Sequence, residues 1–198
     1  MLKYTLPQNV KAVLGVSGHK NSGKDMLYNQ IVCLSRDNIM PKPIRFAFAD
    51  ILKEDVARAR GETVEHLNAN KNTNPDIRRA LQEHGSEKRK ENLDYWIDGL
   101  HKYIVGTMAN ISHKIPHMVI ITDVRHINES SYIRSIEGPE TRKVVRLYRK
   151  ASDENVDSHE SELNVDRLPF DYALNNDGSI ILLRNHAKFM LEDFKLIC

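Results

Sequence analysis

Residues 10–25 read Val-Lys-Ala-Val-Leu-Gly-Val-Ser-Gly-His-Lys-Asn-Ser-Gly-Lys-Asp, a short apolar run that leads into a glycine-rich turn. The run Val10–Val16 predicts a buried strand. Apolar residues at three- and four-residue spacing follow from Lys24 and predict a helix. The turn fits the pattern G-x-x-x-x-G-K, in which backbone N–H groups converge on an anion at the start of the helix. We term residues 18–25 the phosphate loop.

The side chains of the phosphate loop indicate a nucleoside triphosphate as the anion. Lys24 is placed to meet the β- and γ-phosphates, and we expect catalytic work from it. Asp25 stands where Ser or Thr is usual, so it either holds Mg²⁺, directly or through water, or only favours the helix N-terminus electrostatically. The loop residues predicted to bind ATP are Gly18, Lys20, Asn21, Ser22, Gly23, Lys24 and Asp25.

A second carboxylate follows the apolar run 118–122, which predicts another buried strand. In open α/β sheets ligands bind beyond the carboxyl ends of the strands, so Asp123 is a second candidate for Mg²⁺ and for catalysis. The alternative is an ordinary turn carboxylate. Arg125 either faces an acceptor phosphate or forms a salt bridge with Glu129.

Further strands are predicted over 44–49, 144–148 and 171–174, with helices between them. This alternation predicts an α/β fold of the three-layer P-loop type, with a five-stranded parallel sheet, in one domain spanning residues 1–198. Two connections are long: a helical insert over about 50–109 and a polar stretch over about 149–168. Long connections of this kind often form binding segments or lids.

Several boundaries within the helical insert are predicted from turn and cap signals. Asp50 is expected to cap a helix over Ile51–Arg60 that ends at Gly61. Most of 62–74 is expected to be loop, and Pro75 suits a first helical position. Gly85 is expected to stop the following helix. At the other end of the chain, Ser179 is expected to cap a C-terminal helix.

The composition is that of an ordinary globular protein, with 40% hydrophobic and 28% charged residues among 198. A net charge of +2 without a dense basic stripe argues against nucleic acid as a partner. No apolar stretch approaches the length of a membrane span, and the first ten residues do not resemble a signal peptide. Cys33 and Cys198 lack metal-ligand spacing and suggest reduced thiols, so we expect a cytoplasmic protein. We expect it to be a monomer or a homodimer.

Phosphoryl transfer needs cations around the moving group more than it needs a covalent nucleophile. Arg149 ends a predicted strand where the polar stretch begins, so we expect it to stabilise the transferring phosphoryl group, with Arg146 as a second candidate. His159 is either a candidate for metal binding or acid–base chemistry, or an ordinary residue of a polar loop. Trp96 either forms a wall against a base or packs in a core.

Seven pieces in this order resemble the deoxynucleoside monophosphate kinases of bacteriophages, within the P-loop nucleoside monophosphate kinase group. They are Ser-Gly-His-Lys-Asn-Ser-Gly-Lys-Asp (17–25), Phe-Ala-Asp-Ile-Leu-Lys (48–53), Arg-x-x-Leu-Gln-x-x-Gly-Ser-Glu (78–87), Trp-Ile (96–97), Ile-Thr-Asp-Val-Arg-x-x-Asn-Glu (121–129), His-Glu-Ser-Glu (159–162) and Asn-Asp-Gly-Ser (176–179).

The resemblance implies transfer from ATP, with Mg²⁺, to a deoxynucleoside monophosphate. It implies a lid after Arg149 and adenine held near Asn176 and Gly178. It also implies an acceptor site within 48–96, with these candidate residues: Asp50, Lys53, Arg78, Gln82, Arg89 and Trp96. Two alternatives stay open: another small-molecule P-loop kinase, such as one resembling phosphomevalonate kinase, and a non-catalytic nucleotide-binding regulator.

Overall fold

The computed structural model describes residues 4–154 and 164–197, and within them five strands form one sheet. Every neighbouring pair is parallel, and the order is β2-β3-β1-β4-β5. The predicted α/β class and five-stranded parallel sheet are therefore confirmed. The strands are β1 (Val10–Ser17), β2 (Lys42–Phe46), β3 (His117–Val124), β4 (Thr141–Tyr148) and β5 (Tyr172–Asn175).

Helices fill the connections between the strands. In the described ranges they are α1 (Lys24–Asp37), α2 (Phe48–Arg60), α3 (Val64–Asn70), α4 (Pro75–Glu91), α5 (Tyr95–Ala109), α6 (Ile127–Ser135), α7 (Lys150–Asp153), a 3₁₀ turn (Asn164–Arg167) and α8 (Ile180–Asp193). None of these helices has the length and apolarity needed to cross a bilayer.

β1 is buried along almost its whole length, with only Lys11 exposed, because it lies in the middle of the sheet and is covered on both faces. On one face Leu14 joins a core that includes Leu27 of α1 and Leu183 of α8. On the other face α6 lies so close that a Cβ on Gly15 would overlap the side chain of Ile133. This packing fixes the strand end from which the phosphate loop departs.

The chain divides into two compact units. Unit 1 comprises residues 1–46 and 105–198 and contains the sheet. Unit 2 comprises residues 47–104 and has its own small core of Val56, Ala57, Leu67 and Ile77. The boundaries of unit 2 are close to those of the predicted insert over about 50–109, whose acceptor-binding role stays a prediction.

Three predicted boundaries in unit 2 are wrong. α2 begins at Phe48 with Ala47 as its N-cap, so Asp50 lies in the first turn instead of capping the helix. Residues 64–70 form α3, because the Thr63 side chain accepts a hydrogen bond from the His66 amide and caps a helix there. Gly85 does not stop a helix, since α4 runs through it to Glu91.

The strand predicted over 44–49 is also placed wrongly, since β2 ends at Phe46 and α2 begins at Phe48. Three other boundaries agree with the sequence patterns. Gly61 ends α2 in the left-handed conformation, at φ 66°. Pro75 occupies the first turn of α4 after the N-cap Asn74. Ser179 caps α8 by accepting a hydrogen bond from the Leu182 amide at 3.3 Å.

Candidate functional site

The phosphate loop leaves the carboxyl end of β1 and packs so tightly that two of its glycines have no room for a side chain. A Cβ on Gly18 would lie 2.7 Å from the carbonyl oxygen of Leu147. Gly23 has a φ of 98° and precedes α1, and a Cβ there would overlap the Asn176 amide. The loop therefore presents bare backbone at the helix N-terminus, which suits the phosphates of a nucleotide.

Two cations are bonded directly to carbonyl groups of the phosphate loop. The Lys24 ammonium donates to the carbonyl oxygens of Gly18 and His19, both at 2.7 Å. The Arg149 guanidinium donates from Nη1 to the Asn21 carbonyl at 3.1 Å. The structure thus brings together Lys24 and Arg149, which lie 125 residues apart in the sequence.

The turn after β5 is tied to the same loop. The buried Asn176 side chain donates from Nδ2 to the Ser22 carbonyl at 2.8 Å. Asp177 accepts a hydrogen bond from the Lys150 amide at 2.7 Å, and this bond, with a second from the Asn175 side chain, lowers the pKa of its carboxyl group. The predicted adenine segment is therefore next to the phosphate loop, while its contact with adenine stays a prediction.

The two candidate metal carboxylates occupy neighbouring structural elements of unit 1. Asp25 lies in the first turn of α1, with 82% of its side chain exposed and the Arg45 Nε at 3.7 Å. Asp123 lies next to the end of β3, where Val124 pairs with Ser17 of β1. Among the described residues no group of three His, Cys, Asp or Glu side chains could hold a metal alone. Two carboxylates suit Mg²⁺ only if phosphate and water supply its other ligands.

Arg125 follows β3, and its backbone is fixed by Glu129. The buried Glu129 carboxylate accepts hydrogen bonds from the amides of Arg125 (2.7 Å) and His126 (3.1 Å) and closes a capping box at the start of α6. Glu129 therefore shapes the turn that carries Arg125. The role of Arg125 toward an acceptor phosphate stays a prediction.

The six predicted acceptor residues all belong to unit 2. Lys53 donates to the Asp50 carboxylate at 3.1 Å on α2. α4 carries Arg78, Gln82 and Arg89, of which Arg78 is exposed and Arg89 donates to the Gly85 carbonyl at 3.3 Å. Trp96 is only 2% exposed.

Trp96 also uses its one polar group inside unit 2. Its indole Nε1 donates to the Gly85 carbonyl at 3.1 Å, and the Tyr95 ring meets it edge-on with ring centroids 4.8 Å apart. These contacts favour core packing over the alternative of a wall against a base.

Sequence reasoning missed a cluster that links the phosphate loop to β4, formed by His19, Asp166 and Arg146. The His19 ring is buried, and its Nε2 lies 3.0 Å from Asp166 Oδ1. Arg146 donates to the same oxygen at 2.7 Å and to the Val165 carbonyl at 2.9 Å. Because Arg146 is 2% exposed and paired there, the structure favours a structural role for it over contact with the transferring group. No local pattern could reveal a contact between residues 147 positions apart.

Part of the predicted lid over about 149–168 falls outside the described residues. His159 and residues 155–163 around it belong to that part. The described ends of the stretch are the short helix α7 and the 3₁₀ turn Asn164–Arg167.

Comparison with known proteins gives three findings. A family model described as "Deoxynucleotide monophosphate kinase" matches residues 20–186, which is most of the chain. No curated protein sequence matches it. Among solved structures, the chain is similar to an unliganded sugar kinase from Janibacter sp. HTCC2649, with 14% identity, a TM-score of 0.42 and coverage of 92% of this chain and 95% of that chain.

Proposed function

The chain belongs to the deoxynucleotide monophosphate kinase family, and from that premise we propose that it binds ATP on the phosphate loop and the acceptor on residues of unit 2. It is a phosphotransferase that uses ATP and acts on deoxynucleoside monophosphates. The assignment of residues to these two substrates is our own inference.

The bonding of Lys24 and Arg149 to the phosphate loop carries the proposal for ATP. Two cations held on one loop would neutralise the charge that the phosphates bring, and the N-terminus of α1 adds its positive dipole end. Arg149 would stabilise the charge on the phosphoryl group in flight. Asn176 and Gly178 would border the adenine, because the turn that contains them is bonded to the loop.

Mg²⁺ would be held by Asp25 and Asp123, through water or directly, and would neutralise phosphate charge when bound with ATP. Asp25 is exposed enough to exchange its contact with Arg45 for a hydrated cation. Equilibrium dialysis of Mg²⁺ in the presence of ADP tests this assignment without turnover. Asp25→Asn should weaken metal retention, and unchanged retention would remove Asp25 from the metal site.

For the acceptor we propose the basic and amide side chains of α2 and α4, namely Lys53, Arg78, Gln82 and Arg89. Arg78 and Gln82 are one helical turn apart on α4, so they can meet one phosphate together. Asp50 would orient Lys53 through their hydrogen bond.

The test is ADP release from ATP-Mg²⁺ with each deoxynucleoside and ribonucleoside monophosphate and without acceptor. We expect release that depends on one or a few deoxynucleoside monophosphates. Lys24→Ala should abolish it, with Lys188→Ala on the surface of α8 as a matched control. ADP release without acceptor would indicate an NTPase, and near-normal turnover by folded Lys24→Ala would remove the ATP site from the phosphate loop.

A further inference from the structure

The imidazole of His19 bonds the phosphate loop to the body of unit 1, in addition to the bonds from Asn176 and Arg149. His19 lies between Gly18 and Lys20, and its side chain is 3% exposed. Its main-chain carbonyl accepts hydrogen bonds from the Lys24 ammonium at 2.7 Å and from the Ser22 amide at 3.1 Å. The His19 main chain therefore helps to position the Lys24 ammonium, together with the Gly18 carbonyl.

The ring of His19 is in turn held by a carboxylate that the sheet fixes. Asp166 can only accept hydrogen bonds when ionised, so His19 donates to it from Nε2 at 3.0 Å. Arg146 of β4 donates to the same Asp166 oxygen and, through its other nitrogen, to the Val165 carbonyl. Since β4 pairs directly with β1, a continuous chain of bonds runs from the sheet through Arg146 and Asp166 to His19.

One guanidinium and two carboxylates take part in this cluster around His19. The Arg146 guanidinium offsets the Asp166 carboxylate, and a second carboxylate, Asp153 of α7, lies 4.0 Å from His19 Nε2. A buried donor that loses its acceptor costs free energy, so the His19 ring is strongly held in this orientation. The loop is thereby fixed before nucleotide arrives.

We propose that His19 and Asp166 are positioning residues for ATP, which act through the His19 carbonyl on the Lys24 ammonium. The proposal rests on the proposed function, in which Lys24 meets the β- and γ-phosphates. His19 occupies a position that the pattern G-x-x-x-x-G-K leaves unspecified, and Asp166 lies far away from it in the sequence. The proposal predicts that the hydrogen bond between them affects ATP and not the acceptor.

The test compares His19→Gln with His19→Met. Both replacements are unbranched and similar in length, but only glutamine can donate a hydrogen bond to Asp166. Calorimetric titration with ATP and no acceptor measures binding directly, and KM values for ATP and for the deoxynucleoside monophosphate are measured separately. We expect His19→Met to raise the Kd and KM for ATP about tenfold, His19→Gln to recover most of the loss, and the acceptor KM to stay unchanged.

Two further single variants and one double variant test whether the bond between His19 and Asp166 is responsible. Asp166→Ala should weaken ATP binding at least as much as His19→Met does, because it also removes the partner of the buried Arg146 guanidinium. Adding His19→Met to Asp166→Ala should then raise the Kd for ATP little further, because the bond between His19 and Asp166 is already lost. Asp37→Asn removes a different Asp–Arg pair of unit 1, with Arg184, and should leave ATP binding unchanged.

Equal ATP binding by His19→Gln and His19→Met would overturn the proposal, as would additive losses in the double variant. A protein that binds ATP with the predicted order of variants but transfers phosphate to no deoxynucleoside monophosphate would support the positioning role and contradict the proposed function. The two failures are therefore distinguishable.

Discussion

At the scale of single residues, the phosphate loop is shaped by side chains that bind its carbonyl groups. Lys24, Arg149 and Asn176 donate to four such carbonyls, those of Gly18, His19, Asn21 and Ser22. A carbonyl dipole facing a phosphate would repel it, so a donor on each carbonyl reduces that repulsion. The shape of the phosphate loop consequently depends on residues outside it that bond its backbone, as well as on the residues within it.

Arg149, which is bonded to the Asn21 carbonyl, is expected to act on the rate of phosphoryl transfer. Arg149→Ala should lower kcat at least about 100-fold and change the acceptor KM much less, because its charge is needed when the phosphoryl group moves. Arg149→Lys should recover only part of the rate, since lysine lacks the planar fork of donors. Steady-state kinetics with both substrates varied provides the measurement.

The neighbouring cation serves as the control for Arg149. Lys150 has 79% of its side chain exposed and is 4.0 Å from Glu154, so Lys150→Ala should leave kcat nearly unchanged. A raised acceptor KM with intact kcat in Arg149→Ala would instead assign Arg149 to binding of the monophosphate.

At the scale of elements, the sequence predicts those helices and strands whose formation depends on burial of apolar residues within one segment. β1 is predictable as a nearly continuous apolar run, and α1 from apolar residues at helical spacing. α4 was interrupted in the prediction because Gly85 disfavours a helix by about 1 kcal/mol. The structure offsets that cost by packing, since Leu52 approaches Gly85 and Trp96 binds its carbonyl. The bond of His19 to Asp166 was equally unpredictable, because it depends on tertiary structure alone.

Gly85 lies inside α4 at a position that should accept alanine. A Cβ on Gly85 would lie 3.4 Å from Leu52 Cδ2, an ordinary contact, and would leave the bond from Trp96 to the backbone in place. Gly85→Ala should therefore raise the free energy of unfolding by about 0.5 to 1 kcal/mol. Urea unfolding followed by far-ultraviolet circular dichroism measures the change.

Gly61 is the matched control, because a Cβ there would meet nothing within 4 Å but its φ of 66° is left-handed. Gly61→Ala should destabilise the protein by about 1 kcal/mol through backbone strain alone. Equal losses of stability in Gly85→Ala and Gly61→Ala would contradict the prediction, because they would mean that the backbone at Gly85 is as unfavourable for alanine as the left-handed backbone at Gly61.

At the scale of the whole molecule, the two compact units separate the two predicted substrate sites in the sequence. Every residue proposed for ATP belongs to unit 1, and every residue proposed for acceptor binding on α2 and α4 belongs to unit 2. Unit 2 also has its own spectroscopic signal. Trp96 is the single tryptophan of the sequence and lies in unit 2, so its fluorescence reports on that unit.

Asp55 links three helices of unit 2 and makes its stability depend on pH. Its carboxylate accepts hydrogen bonds from His84 at 2.9 Å and from Tyr95 at 3.2 Å. The bond from His84 is the largest cause that lowers the pKa of Asp55 below its ordinary 3.8, and burial opposes it. A lowered folded-state pKa stabilises the fold above the unfolded pKa, and this contribution is lost as the pH falls through the folded pKa.

Asp55→Asn should therefore destabilise unit 2 by about 1 to 2 kcal/mol at neutral pH, and the deficit should shrink as the pH falls below about 4. Trp96 fluorescence during urea unfolding at a series of pH values gives the measurement. Asp76→Asn, which removes an exposed pair with Arg79, should have almost no effect at any of these pH values. A deficit independent of pH would show that Asp55 acts through packing instead of charge.

Two adjacent arginines of α4 test whether unit 2 binds the acceptor. Arg78 is a proposed contact of the monophosphate, whereas Arg79 is exposed and donates to Asp76 at 2.8 Å. Loss of a charge-assisted bond to phosphate should raise the acceptor KM of Arg78→Ala about 10- to 100-fold, and calorimetry should find its ATP affinity unchanged. Arg79→Ala removes the same charge from the same helix and should change neither quantity. If both variants raise the acceptor KM equally, unit 2 attracts the monophosphate through its overall charge and Arg78 makes no specific contact.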